Sequence, residues 1–219
     1  MSRAVLKFVA HGRKVIRIAD EFGWRPGARY TNLRDVRDVT FERRGFLDIH
    51  WKSYNFKKHI EAAELACPFV TVARDIECIS ELTGILKEAE MLKKFSEHVI
   101  VVPKDLKMKG RISQLIPADF LLGYSVPTKY GGTQLPPEDF CRPVHLLGGR
   151  PDVQRGLANQ MPVVSFDCNR FTLDARFGDY FDGDKFRPHP KGGYEVCLRD
   201  SFSNITRLWA DYEPEAGIS

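Results

Sequence analysis

A chain of 219 residues, 43% hydrophobic and 28% charged, fits one globular domain with a full core. It has no apolar run long enough to cross a bilayer, and residues 1–8 hold too short an apolar core for a signal peptide. The expected location is therefore the cytoplasm, without membrane contact. The net charge is +4, but residues 1–60 carry +8 and the remainder −4. A basic half of this kind can steer a polyanion, and it can equally be a solvated face.

Short apolar runs alternate with amphipathic stretches. Residues 4–10 read as a strand and 13–22 as a helix, followed by a short, poorly marked strand at 27–33. Residues 45–49 read as a strand and 55–66 as a helix; 69–73 is β-rich, and 76–95 has the pattern of one long helix. Strands follow at 98–102, 120–123, 144–147 and 163–167. A helix at 151–160 opens on Pro151, where a missing N–H costs little. Leu198, Phe202, Ile205 and Trp209 fall at helical spacing, predicting a last helix over about 195–210 packed on the rest.

Eight strand candidates, most followed by a helix, imply a parallel sheet. The expected fold is α/β, a compact (β/α)8 TIM-like barrel spanning 1–219 as a single domain. An open doubly wound sheet is the second choice, because no G-x-G-x-x-G follows the first strand. The five cysteines (Cys67, Cys78, Cys141, Cys168, Cys197) form no CxxC pair and have no histidine at zinc spacing. Reduced thiols and no metal site are expected.

In such barrels chemistry sits at the C-terminal ends of the strands. Asp167 ends an apolar strand and is followed by Cys168-Asn169-Arg170. A carboxylate there can attack a carbon electrophile, or it can cap the next helix or pair with Arg170. Asp75 opens the predicted helix at 76–95, so it reads as an N-cap or as an acceptor for a purine-like ring. Asp48 reads as a second catalytic carboxylate or as an exposed strand residue. Gly123-Tyr124, ahead of Gly131-Gly132, reads as a turn or as backbone open to a flat ligand. The segment from His145 through Gly148-Gly149-Arg150 can present N–H groups and Arg150 to a phosphate, or simply turn the chain.

The run His145-Leu146-Leu147-Gly148-Gly149-Arg150-Pro151-Asp152, a helix, and then Val164-Ser165-Phe166-Asp167-Cys168 resembles the tRNA-guanine transglycosylase superfamily. That superfamily has a similar Gly-Val-Gly and Pro-Asp/Glu segment, and a strand ending in a Phe-Asp-Cys-like tripeptide. Leu121 to Val126 is similar to its base-contacting strand. The superfamily's zinc motif is absent, and the compact chain looks closest to the branch that inserts 7-deazaguanines into DNA.

The resemblance implies that Asp167 is the nucleophile and Asp48 the other catalytic carboxylate. Asp75, Gly123, Tyr124, Gly148 and Gly149 would hold the base. The expected reaction is exchange of guanine in double-stranded or locally melted DNA for preQ0 or a derivative, with no metal or redox cofactor. Arg25, Arg29, Arg150 and Arg170 would hold phosphates, joined by Arg34, Arg37, Arg43 and Arg44; Trp24 or Trp51 would stack on a displaced base, or else belong to the core. A homodimer or a partner subunit is also expected as possible. The alternatives are the same exchange on tRNA, a non-catalytic DNA-binding barrel, and a barrel enzyme for a small anion bound at 145–150.

Overall fold

The computed structural model describes residues 4–129, 131–215 and 217–218. Residues 1–3 of the N-terminal stretch weighed above as a signal peptide lie outside it. The elements run β1 (Leu6–Ala10), α1 (Arg13–Glu21), β2 (Arg25–Arg29), β3 (Phe46–Asp48), α2 (Phe56–Ala66), β4 (Val70–Val72), α3 (Leu82–Leu92), β5 (His98–Val101) and α4 (Ile112–Leu115). They continue with β6 (Leu121–Ser125), β7 (Val144–Leu147), α5 (Pro151–Leu157), β8 (Val163–Asp167), α6 (Arg170–Asp174), β9 (Asp179–Phe181), β10 (Phe186–Pro188) and α7 (Tyr194–Leu208). Strands β1 to β8 pair in order, all in parallel, and β8 closes on β1 through Leu6↔Ser165 and Phe8↔Asp167. The expected (β/α)8 barrel is the fold of this chain.

Its compactness comes from what the connections omit. Between β2 and β3 there is only a 3-10 turn at Leu33–Val36, and between β6 and β7 only one at Pro137–Asp139. Two helices are thus replaced by single turns, and 219 residues suffice where about 250 are typical.

Alternation along the strands builds the two layers. In β8, Ser165 meets His145 of β7 inside the barrel, while Phe166 points outward onto Trp24 and Trp209. Inside, Phe8 of β1 and Phe46 of β3 pack on each other and on His145. Outside, Phe202 of α7 packs on Trp24 (ring centroids 5.1 Å apart) and on Phe171 (4.6 Å). The Trp24 indole N–H donates to Thr206 Oγ1 at 3.0 Å. The last helix therefore does pack on the barrel, through Trp24 just before β2 and Phe171 of α6.

Two departures from the sequence expectation show what sets an element's position. The strand expected at 27–33 lies at Arg25–Arg29, where Gly27 pairs with both Ala10 and Phe46. A Cβ on Gly27 would sit 3.0 Å from the Ala10 Cα, so close approach of β1, rather than strand propensity, sets this position. The helix expected at 76–95 begins with a 3-10 turn at Ile79–Glu81 and becomes α-helical only at Leu82. Before that the backbone stays paired with the next strand and its extension: Ala73 N–H donates to Ile100 O, and Ile76 N–H to Val102 O, both at 2.9 Å.

Candidate active site

The loops that follow the strands enclose a cavity of about 530 Å³ at the C-terminal mouth of the barrel. Asp48, Asp75 and Asp167 all line it, together with Arg29, Lys104 and Asn169. Three strand ends chosen from sequence thus converge on one space.

Asp167, at the last position of β8, is 6% exposed. Its Oδ1 accepts the Gly148 N–H at 3.0 Å, and Asn169 Nδ2 lies 3.4 Å from Oδ2. Asn169 is itself tied to the end of β1, since its Oδ1 accepts the Ala10 N–H at 3.0 Å. Neither structural alternative for Asp167 holds. Arg170 pairs instead with Asp174, with Nε at 2.8 Å from Oδ2, and no side chain caps α6.

Gly148 has φ +61 and Gly149 φ +90, left-handed values that glycine reaches without penalty. That turn aims the Gly148 N–H at the carboxylate. Gln154 of α5, fully buried, fastens the turn to β8 by donating to Gly148 O (2.7 Å) and to Asp167 O (2.8 Å).

Asp48 ends β3. Its Oδ1 accepts the N–H of Ile49 at 2.8 Å, and Arg29 Nε stands 4.0 Å from Oδ2. The side chain is 26% exposed, but that exposure opens into the cavity. Burial, reinforced by the negative charge of Asp167, pushes its carboxyl up to about 7, against the pull of the Ile49 N–H and Arg29. The mouth thus holds one carboxyl that keeps its proton toward neutrality and one seated on N–H donors.

Asp75 caps no helix, because its segment is still extended beside β5. It meets Lys104, whose Nζ is 2.6 Å from Asp75 Oδ2 and 3.0 Å from Glu77 Oε1. Burial raises the Asp75 carboxyl, with Lys104 opposing it.

Other expected ligand residues are placed elsewhere. Gly123 faces the barrel interior, where a Cβ would lie 2.6 Å from Ile100 Cγ2 and 2.7 Å from Val102 Cγ2; packing requires this glycine. Tyr124 is buried against Phe140, ring centroids 5.0 Å apart, on the other side of the strand. Neither lines the cavity, whereas Gly148 and Gly149 do.

Arg25 opens β2 at the end opposite the mouth, its guanidinium 4.6 Å from the Phe69 ring centroid. Arg43 pairs with Glu97 and Arg44 with Asp20. Arg150 pairs with Asp152, and both Arg150 and Arg170 stand 6.0 Å from the Phe186 ring, beside the β9–β10 hairpin and outside the cavity lining. Of the eight arginines expected at phosphate, only Arg29 lines the cavity. Trp24 is fully buried, while Trp51, 62% exposed, lines the mouth with the Lys52 ammonium 5.1 Å from its ring centroid.

Sequence reasoning missed Lys104, Asn169 and Gln154. Lys104 lies just beyond β5 in Val102-Pro103-Lys104, so the strand-end rule that selected the aspartates also reaches it. Gln154 sits at the fourth position of α5 and carried no such signal. All five cysteines are free, and among the described residues no group of three His, Cys, Asp or Glu is placed to hold a metal ion. No helix among them is long and apolar enough to cross a membrane.

Architecture and cavity together define a parallel (β/α)8 barrel with an acidic, partly cationic mouth. Within that class the chain belongs to DUF6610, a family of unknown function, whose profile matches residues 19–210. No curated protein matches it.

Proposed function

We propose that this barrel exchanges guanine in DNA for a 7-deazaguanine base through a covalent aspartyl-glycosyl intermediate. The observation that carries the reading is the shared mouth of Asp48 and Asp167, two carboxyl groups in unlike environments. Carboxyl groups so divided serve as acid and nucleophile at one glycosidic carbon.

An Asp167 oxygen attacks C1′ of an extruded deoxyribose. The C1′–N9 bond breaks, its electron pair leaves with guanine, and Asp48 supplies the proton. In the return step Asp48 takes the proton from the incoming 7-deazaguanine, whose nitrogen attacks C1′ and releases Asp167. Two displacements retain configuration at C1′. Extrusion of the nucleotide costs a few kcal/mol, and Arg29 at the mouth is placed to offset part of it against phosphate.

The resemblance around residues 145–168 favours this glycosidic chemistry over a small-anion barrel. The geometry agrees, since the Gly148 N–H goes to Asp167 and Arg150 to Asp152, which leaves residues 145–150 poorly arranged for a phosphate.

The test is exchange of labelled guanine in duplex DNA with a 7-deazaguanine present. Wild-type protein is expected to exchange label and to form a DNA adduct, and Asp167→Asn to lose both by at least 10³-fold. Exchange by Asp167→Asn at the wild-type rate removes the nucleophile. Preferential exchange on tRNA in competition moves the reaction to RNA, and DNA binding without adduct or exchange leaves a non-catalytic barrel.

A further inference from the structure

Beneath Asp167, inside the barrel, lies a polar pair that the mechanism above does not use. His145 of β7 is fully buried, its ring stacked on Phe46 with centroids 5.1 Å apart and planes at 27°. Its Nδ1 is 2.8 Å from the hydroxyl oxygen of Ser165, also fully buried. Its Nε2 lies 3.5 Å from Asp167 Oδ1 and has no hydrogen-bond partner at closer range among the described residues.

An unmatched buried polar group costs about 1–3 kcal/mol, and leucine or methionine would fill a lumen lined by Phe8 and Phe46 without that cost. The orphaned nitrogen lies 3.5 Å from a carboxylate oxygen at the mouth.

We propose that His145, held as its Nε2–H tautomer by Ser165, is a positioning residue that fixes Asp167 with Oδ1 anchored and Oδ2 presented to the cavity. The Ser165 hydroxyl donates to Nδ1, which places the imidazole proton on Nε2, facing Oδ1. Oδ1 then has one hydrogen bond, from the Gly148 N–H at 3.0 Å, and the His145 Nε2–H 3.5 Å beneath it as a charge–dipole contact. Oδ2 accepts one weak hydrogen bond, from Asn169 Nδ2 at 3.4 Å, which it gives up when it bonds carbon. In the intermediate Oδ2 is the ester oxygen and Oδ1 the carbonyl oxygen. When the ester breaks, the returning charge is shared with an Oδ1 already held by these two contacts. The catalytic part of this inference rests on Asp167 being the nucleophile; the tautomer and the anchoring do not.

Two measurements separate these parts. Imidazole ¹⁵N spectra of the wild-type protein, with His145 assigned from the loss of its signals in His145→Gln, are expected to show protonated Nε2 and unprotonated Nδ1. Ser165→Ala is expected to weaken that preference. A protonated Nδ1 in the wild type overturns the proposal whatever the activity.

For the second, rates of adduct formation are compared in His145→Leu and His145→Gln. Leucine removes the orphaned nitrogen but leaves the buried Ser165 hydroxyl without its partner, so the variant is expected to fold with a modestly lower melting point while forming adduct about tenfold more slowly. Glutamine, whose amide can again donate toward Oδ1, is expected to recover part of that loss. A folded His145→Leu that reacts at the wild-type rate overturns the positioning role. Should leucine fail to fold, a glutamine variant no faster than His145→Ala does the same. If the wild type forms no adduct while Nε2 carries the proton, the transglycosylase reading falls and the anchoring stands.

Discussion

Burial and the charge of Asp167 keep a proton on Asp48 up to about pH 7, far above the ordinary carboxyl value of 3.8, and this has a measurable cost in stability. Below about pH 4 the group is protonated folded or unfolded. Between there and about 7 only the folded chain holds the proton, so stability falls as pH rises through this window, by at most about 1.4 kcal/mol per pH unit from this group. Asp48→Asn is expected to remove that slope and to exceed the wild type in urea midpoint above pH 7, while losing base exchange. A wild-type slope that survives in the variant assigns the titration to another group. The identity of the three mouth aspartates was legible in the sequence because each lies at a strand end or, for Asp75, just beyond one, and strand ends face the mouth. Their division of labour was not. It depends on Gly148, Asn169, Arg29 and Lys104, which come from four separate loops and strand ends.

The turn between β7 and α5 shows how an element makes a site. Gly148→Ala places a Cβ at φ +61, where open space around the position leaves backbone strain as the only penalty. The expected cost is about 1 kcal/mol, read as a drop in urea midpoint. A larger loss in adduct rate is expected as the N–H swings away from Asp167; a rate loss no greater than the stability loss would separate the turn from the chemistry. Strands β7 and β8 were readable to the residue because their β-branched and apolar runs are bounded by turns. The β9–β10 hairpin was not picked out, although Asp182-Gly183 carries its turn: Gly183 has φ +112 and Asp182 Oδ1 accepts the N–H groups of Asp184 and Lys185. The displaced β2 and the late start of α3 had no local signal, since both are set by pairing with neighbouring strands.

At the scale of the molecule, the barrel is closed twice, once by β8 against β1 and once by its C-terminal segment. Arg199 of α7 makes two hydrogen bonds to Glu21 of α1, at 2.6 and 3.1 Å, and the Tyr212 hydroxyl donates to Val163 O at 2.9 Å. A chain ending at residue 193 would uncover Trp24, Phe166 and Phe171, each worth about 1.5–3 kcal/mol of burial. It is expected to lose cooperative unfolding; a sharp calorimetric transition in that chain would make α7 an accessory. The β-then-α alternation made the barrel legible, but the two missing helices were not, because a loop that replaces a helix leaves no pattern of its own. The distribution of tryptophan has a practical consequence. Trp24 and Trp209 are 0% and 3% exposed, so Trp51 on the rim is the one indole that water reaches. The protein carries its own optical reporter: acrylamide should quench one emitting population and spare the rest, and a nucleic acid seated on the mouth should shield that population. Unchanged quenching in the presence of bound DNA would place the DNA on another face.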